Sequence, residues 1–196
     1  LAAIEKHPNA IMYISFPTEK VQLAAVTKDK NSIRFINRPT TRVQLEAVKQ
    51  DSQCIRHIQD PAHEVQWAVI NDNYTLIEYI RNPARDIQLA VVKKAGGMIR
   101  FFNTTTNDEE IQIAAVNENG LAIRCIKNPS EAVQLAAVRQ NSNAIRFIGN
   151  PTRLARIEAI KNNPMMIFYL RGTVTEEEKL LAIETDPAVL HRIMSK

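Results

Sequence analysis

A 22-residue period runs through the chain and limits its fold more than any other feature. The hexapeptide VQLAAV stands at 21–26 and again at 133–138, with Val43-Gln44-Leu45, Val65-Gln66-Trp67, Ile87-Gln88-Leu89 and Ile111-Gln112-Ile113 between them. Aligned on the last apolar residue, the column reads Ile4, Val26, Val48, Ile70, Val92, Val116, Val138, Ile160, Ile183. Its intervals are 22, 22, 22, 22, 24, 22, 22 and 23. Nine such units cover all 196 residues. A unit this short cannot bury its own apolar face, so successive units must stack.

Two further columns give the shape of each unit. Seven residues on stand Ile11, Ile33, Ile55, Ile77, Ile99, Ile123, Ile145, Ile167 and Leu190. Three beyond these stand Ile14, Ile36, Ile58, Ile80, Phe102, Ile126, Ile148, Leu170 and Ile193. The dipeptides Asp60-Pro61, Asn82-Pro83, Asn128-Pro129 and Asn150-Pro151 read as an N-cap followed by the first helical residue, where a missing N–H costs nothing. Glu19, Asp86, Glu110 and Glu131 then fall in the first turn, where the helix dipole favours them. Each unit therefore reads as a helix of roughly three turns, a break, and a helix of one to two turns. Ala and Gln dominate the long segment, and the alternation expected of strands is absent. Pro8, Pro164 and Pro187 fall in the break, and the two-residue insertion falls in the Thr-rich stretch 103–107.

The expectation is an all-α fold: one right-handed α-solenoid domain over 1–196, of about nine stacked two-helix repeats, with equivalent helices ~8–10 Å apart. Residues 152–196 carry degenerate units that read as a looser end or cap. The chain opens at Leu1, which aligns with mid-helix Leu23, and so reads as a fragment of a longer one with further repeats upstream.

On a wheel of ~100° per residue, the recurring glutamine falls in the middle of the apolar arc of the long helix. The column is Gln22, Gln44, Gln66, Gln88, Gln112 and Gln134, and it fails at Arg156 and Lys179. A buried primary amide without partners costs ~1–3 kcal/mol, so the column reads as a structural ladder bonded to inter-unit loop backbone. The alternative is a polar stripe that reads a ligand.

The short helix offers the candidate binding residues. The position that points away from its apolar arc reads Met12, Arg34, Arg56, Glu78, Arg100, Arg124, Arg146, Phe168, His191. Arginine suits forked bonds to carboxylate or phosphate. Arg34, Arg56, Arg100, Arg124 and Arg146 are thus the partner-binding candidates, the alternative being a solvated face paired with neighbouring acids. The next column, Tyr13, Phe35, His57, Tyr79, Phe101, Cys125, Phe147 and Tyr169, lies at the edge of the apolar arc and is expected in the core.

No motif points to catalysis or a cofactor. His7, His57, His63 and His191 occupy unrelated slots without metal-ligand spacing, and Gly96-Gly97 makes no phosphate-binding loop. Cys54 and Cys125 sit in apolar slots and read as reduced thiols of a cytoplasmic protein. No stretch is long and apolar enough to span a membrane. The net charge of +4 permits a polyanionic partner without demanding one.

Units such as NPSEAVQLAAVRQNSNAIRFIGN at 128–150 resemble the short α-helical repeats of the HEAT and armadillo superfamily. They are most similar to leucine-rich-repeat-variant repeats and to short repeats of bacterial and bacteriophage proteins. The resemblance spans essentially the whole chain. It implies a non-enzymatic scaffold without cofactors, whose partner is a protein or, as the alternative, a nucleic acid. Leucine-rich-repeat-variant proteins can carry an iron–sulfur cluster on a Cys-rich segment, which has no counterpart here.

Overall fold

One residue both ends each long helix and starts each short one. Asp29 has extended backbone (φ −146°, ψ 106°), and its N–H closes the preceding helix on Ala25 O at 2.9 Å. Its carboxylate accepts the Asn31 N–H at 2.9 Å. The same side-chain bond, at 2.9–3.1 Å, recurs at Asp51, Asn73, Asn119, Asn141, Asn163 and Asp186. Short Asp and Asn side chains favour this local turn, which redirects the chain after a single residue.

The computed structural model describes residues 1–102, 108–170 and 172–194, and the Thr-rich stretch 103–107 lies outside them. The described residues are helical or in turns, with no strand among them. The chain forms two compact units, Leu1–Ile87 and Gln88–Lys196. The first holds α1 (Ala2–Lys6), α2 (Glu19–Lys28), α3 (Thr41–Gln50) and α4 (His63–Asp72). The junction falls inside α5 (Arg85–Lys94). The second holds α6 (Glu109–Glu118), α7 (Glu131–Gln140), α8 (Arg153–Asn162), α9 (Glu176–Thr185) and α10 (Ala188–Met194).

Six-residue 3₁₀ helices alternate with the α-helices, for example Lys30–Phe35, Ser52–His57 and Tyr74–Tyr79 in the first unit. Gly96–Phe101, Gly120–Cys125, Ser142–Phe147 and Pro164–Tyr169 are their counterparts in the second. Within each compact unit, each α-helix packs on the next and each 3₁₀ helix on the next. The three aligned columns meet between them: Val26, Ile33 and Ile36 are buried, as are Val138, Ile145 and Ile148. Ile14 and Leu190 depart from the expected core at 40% and 42% exposed. Ile14 follows the 3₁₀ helix Pro8–Tyr13, and Leu190 lies in α10.

The Asn/Asp-Pro dipeptides do not cap the α-helices. The N-cap stands two residues after the Asp or Asn, at Ala62 for α4, Ser130 for α7 and Thr152 for α8. Asn128 instead adopts φ 50°, a left-handed turn conformation that Asn tolerates better than most residues. Pro8 and Pro164 likewise occupy the first position of a 3₁₀ helix rather than the break before it.

The shifted cap explains the glutamine. Gln44 donates from Nε2 to Pro39 O at 3.0 Å, and its Oε1 accepts the Ala62 N–H of the next motif at 3.0 Å. Gln66 does the same between Pro61 O and the Ala84 N–H, both at 3.0 Å. Gln134 joins Pro129 O at 3.0 Å to the Thr152 N–H at 2.8 Å. Each side chain thus satisfies an orphan carbonyl of its own motif and an orphan N–H at the following helix start. Gln22 is buried and bonds Pro17 O at 2.9 Å, but its Oε1 finds no partner. Gln88 and Gln112 are half-buried.

At Arg156 the rung changes chemistry instead of failing. Its Nε donates to Glu178 Oε1 at 2.5 Å, and its Nη2 to Glu178 Oε2 at 2.8 Å and to Thr173 O at 3.0 Å. Glu178 is also the third residue of a capping box with Thr175 at the start of α9. Lys179, by contrast, pairs on its own helix with Glu176 at 2.7 Å.

A second set of bridges had no sequence reading. Gln50 reaches Val26 O at 3.1 Å, Gln140 reaches Glu118 O at 3.3 Å, and Asn162 reaches Val138 O at 3.3 Å. The Gly120 N–H also donates to Gln140 Oε1 at 2.7 Å. A Cβ on Gly120 would meet Ala137 O at 2.5 Å and Gln140 Oε1 at 2.7 Å, so the backbone of α7 leaves no room for it. Gly120→Ala is expected to destabilise the protein by about 1–3 kcal/mol through this overpacking, read as a lowered midpoint in thermal unfolding. An unchanged midpoint would show that α7 yields freely.

Candidate functional site

The 3₁₀ geometry sorts the short-helix side chains onto three ridges. At three residues per turn, positions i and i+3 eclipse, so Ile33 and Ile36 share one inward ridge and Arg34 stands on another. Arg34, Arg56, Arg100, Arg124 and Arg146 are all exposed. None of the five forms an ion pair with a described residue, so the neighbouring-acid pairing does not occur there.

Aromatic rings hold these arginines instead. In the first unit, the Arg34 guanidinium lies 4.6 Å from the Phe35 ring centroid, and that of Arg56 lies 5.4 Å from the Tyr79 ring of the next motif. Arg56 also donates from Nε to Gln53 O at 3.1 Å and from Nη2 to Gln53 Oε1, so its fork is engaged within its own motif. In the second unit, Arg100 lies 4.6 Å from Phe101, and Arg146 lies 4.4 Å from Tyr169. Such contacts order a flexible side chain while leaving the forked N–H groups to solvent. Arg124 follows the same register with Cys125, not a ring, beside it.

The aromatic column departs from its expected core placement. Tyr13, Tyr79, Phe147 and Tyr169 are 82%, 42%, 46% and 43% exposed, and His57 is exposed as well. The reason is the helix type. A ~100° wheel puts this column at the edge of the apolar arc, whereas the ~120° step of a 3₁₀ helix turns it a third of a circle from the isoleucines. Only Phe35, Phe101 and Cys125 are half-buried.

Electrostatics follow the same placement. Partial desolvation of the ring by its surroundings first, and then the charges of Arg56 and Arg34, lower the pKa of the exposed His57 imidazole from its ordinary value. Two adjacent motifs of the first unit therefore present cations to a common region, and Glu78 supplies an exposed acid in the third. In the second unit, Arg100 and Arg124 flank a cleft of about 210 Å³ between successive 3₁₀ helices, with Gly97, Leu121 and Ala122 in its lining. No group of His, Cys, Asp and Glu suited to a metal ion occurs among the described residues. Cys54 and Cys125 are free, and burial raises the Cys54 thiol pKa. No helix among the described residues is long and apolar enough to cross a membrane.

No protein-family model matches the chain, and no curated protein or solved structure matches it either.

Proposed function

We propose that the chain is a non-enzymatic binding scaffold, a right-handed α-solenoid of about nine 22-residue motifs that presents its short-helix arginines to a protein partner. The single observation behind this reading is a repeated row of exposed arginines that lack carboxylate partners. Four of the five rest on aromatic rings, and Arg34, Arg100 and Arg146 donate to no described residue, whereas the Arg56 fork is held by Gln53. A guanidinium ordered in advance loses less entropy when a carboxylate or carbonyl engages it. The period, 22 residues in six of eight intervals, supports the solenoid, and the two free thiols support a cytoplasmic setting. The resemblance to HEAT and armadillo repeats, and to those of bacterial and phage proteins, accords with a scaffold role.

The exposed rings of Tyr79, Phe147 and Tyr169 favour a second reading, in which arginines contact phosphates and the rings stack on bases. Recovery of partners by the wild type and by the fivefold Arg→Ala variant, with and without nuclease, separates the two. We expect a defined protein, recovered regardless of nuclease and lost with the arginines. Nuclease-sensitive recovery, with affinity for duplex DNA falling about 0.9 log unit per log salt for each phosphate contact, would establish the second reading instead.

A further inference from the structure

We propose that the second compact unit receives an extended acidic peptide whose carboxylates recur at every third residue, engaged in turn by Arg100, Arg124 and Arg146. The inference rests on the scaffold reading and names the chemistry of its partner. These three residues occupy consecutive 3₁₀ helices that pack on one another. Equivalent packed helices stand ~8–10 Å apart. A chain in the extended polyproline-II form advances ~3.1 Å per residue with three residues per turn, so every third side chain faces the same way and three residues cover one step of the arginine row. Any closer or wider acid spacing falls out of register within two motifs.

The cleft between Arg100 and Arg124 is consistent with the size of one side chain. Its volume of about 210 Å³ is below the ~300 Å³ at which small-molecule pockets begin. A Cβ on Gly97 would meet nothing within 4 Å, so the approach to the cleft is open. The nearby Glu118 carboxylate is engaged by the Gly96 N–H, and neither arginine has a carboxylate partner. A planar carboxylate can take two parallel bonds from one guanidinium fork.

Nucleic acid suits the row less well. Along the axis of duplex DNA each strand carries a phosphate about every 3.4 Å, so one arginine per step of ~8–10 Å leaves roughly two of three charges of a duplex strand unanswered. The Arg100 and Arg146 guanidiniums also cover one face each of Phe101 and Tyr169, which reduces the surface left for base stacking.

Fluorescence anisotropy with the whole chain tests the proposal. The probes are a labelled peptide with glutamate at every third position, a peptide of the same composition with its glutamates contiguous, and a single-stranded oligonucleotide. We expect the spaced peptide to bind at least ~10-fold tighter than the contiguous one. Arg100→Ala, Arg124→Ala and Arg146→Ala should each weaken it about threefold and the triple variant roughly thirtyfold, as for independent solvent-exposed pairs. Arg139→Ala, which removes a pair with Glu158 on the α-helices, should leave binding unchanged. Circular dichroism melting of each variant separates lost binding from lost fold. Equal affinity for the two peptides overturns the spacing and leaves the scaffold reading standing. Binding of neither peptide overturns the acidic-peptide inference, and the partner-recovery experiment then judges the scaffold reading independently. Preferential binding of the oligonucleotide, lost in the triple variant, overturns both.

Discussion

Glu178→Ala is expected to destabilise the second compact unit by about 3–5 kcal/mol, the cost of leaving one member of a buried ion pair alone. The Arg156 and Glu178 side chains are only 12% and 4% exposed, and the substitution also removes the capping box of α9. Thermal or urea unfolding reads the change. Adding Arg156→Gln to Glu178→Ala should recover part of the loss, because a neutral amide there can use Pro151 O as the other rungs use theirs. If the single variant is the more stable of the two, the ion pair is not what secures α9. The pair also carries a pH signature. The hydrogen bond from Arg156 is the largest influence on Glu178 and, with Thr175, holds its pKa below the ordinary value against the opposing effect of burial. A carboxylate with a depressed folded pKa stabilises the fold above its unfolded pKa of ~4.3, and that contribution fades as pH falls through the folded value. The wild type should therefore lose stability on acidification below about pH 4.5 more steeply than Glu178→Ala. Parallel pH profiles would contradict this assignment.

Gln66→Ala should cost about 2–6 kcal/mol, since it orphans two backbone groups at once at roughly 1–3 kcal/mol each. These are Pro61 O and the Ala84 N–H. Gln22→Ala should cost only about half as much, because Gln22 makes one such bond and its Oε1 is already without a partner. Both substitutions lie in the first compact unit, so the comparison of unfolding midpoints is direct. Equal losses would mean that the amide volume, rather than its two-sided bonding, is what matters.

The helix–break–helix order, the inward isoleucine columns and the place of the glutamine inside the apolar arc were legible from residue order, because each follows from local periodicity. Val26, Ile33 and Ile36 recur at offsets that only one helical face can satisfy. The column Asp29, Asp51, Asn73, Asn119, Asn141, Asn163 and Asp186 was equally visible as a repeat. Its role went unread because the Asn/Asp-Pro pairs offered a more familiar cap. Its recurrence directly after the last turn of the long helix was the signal.

Tertiary structure decided the rest, for reasons that no single motif contains. The short helix winds at three residues per turn, with its first end held by an Asx bond and its last isoleucine turned in beside the first. That winding moves the aromatic column outward beneath the arginines. Whether an arginine such as Arg56 or Arg146 meets an acid or a ring depends on what the packed neighbour brings to it, and here the next motif brings Tyr79 or Tyr169. The replacement of a glutamine rung by Arg156 and Glu178 likewise depends on residues 22 apart meeting in space. Periodicity alone determined which faces turn inward, because burial acts on each motif alike. The partners of the polar side chains were decided only by packing, because a hydrogen bond requires both of its ends to be in place.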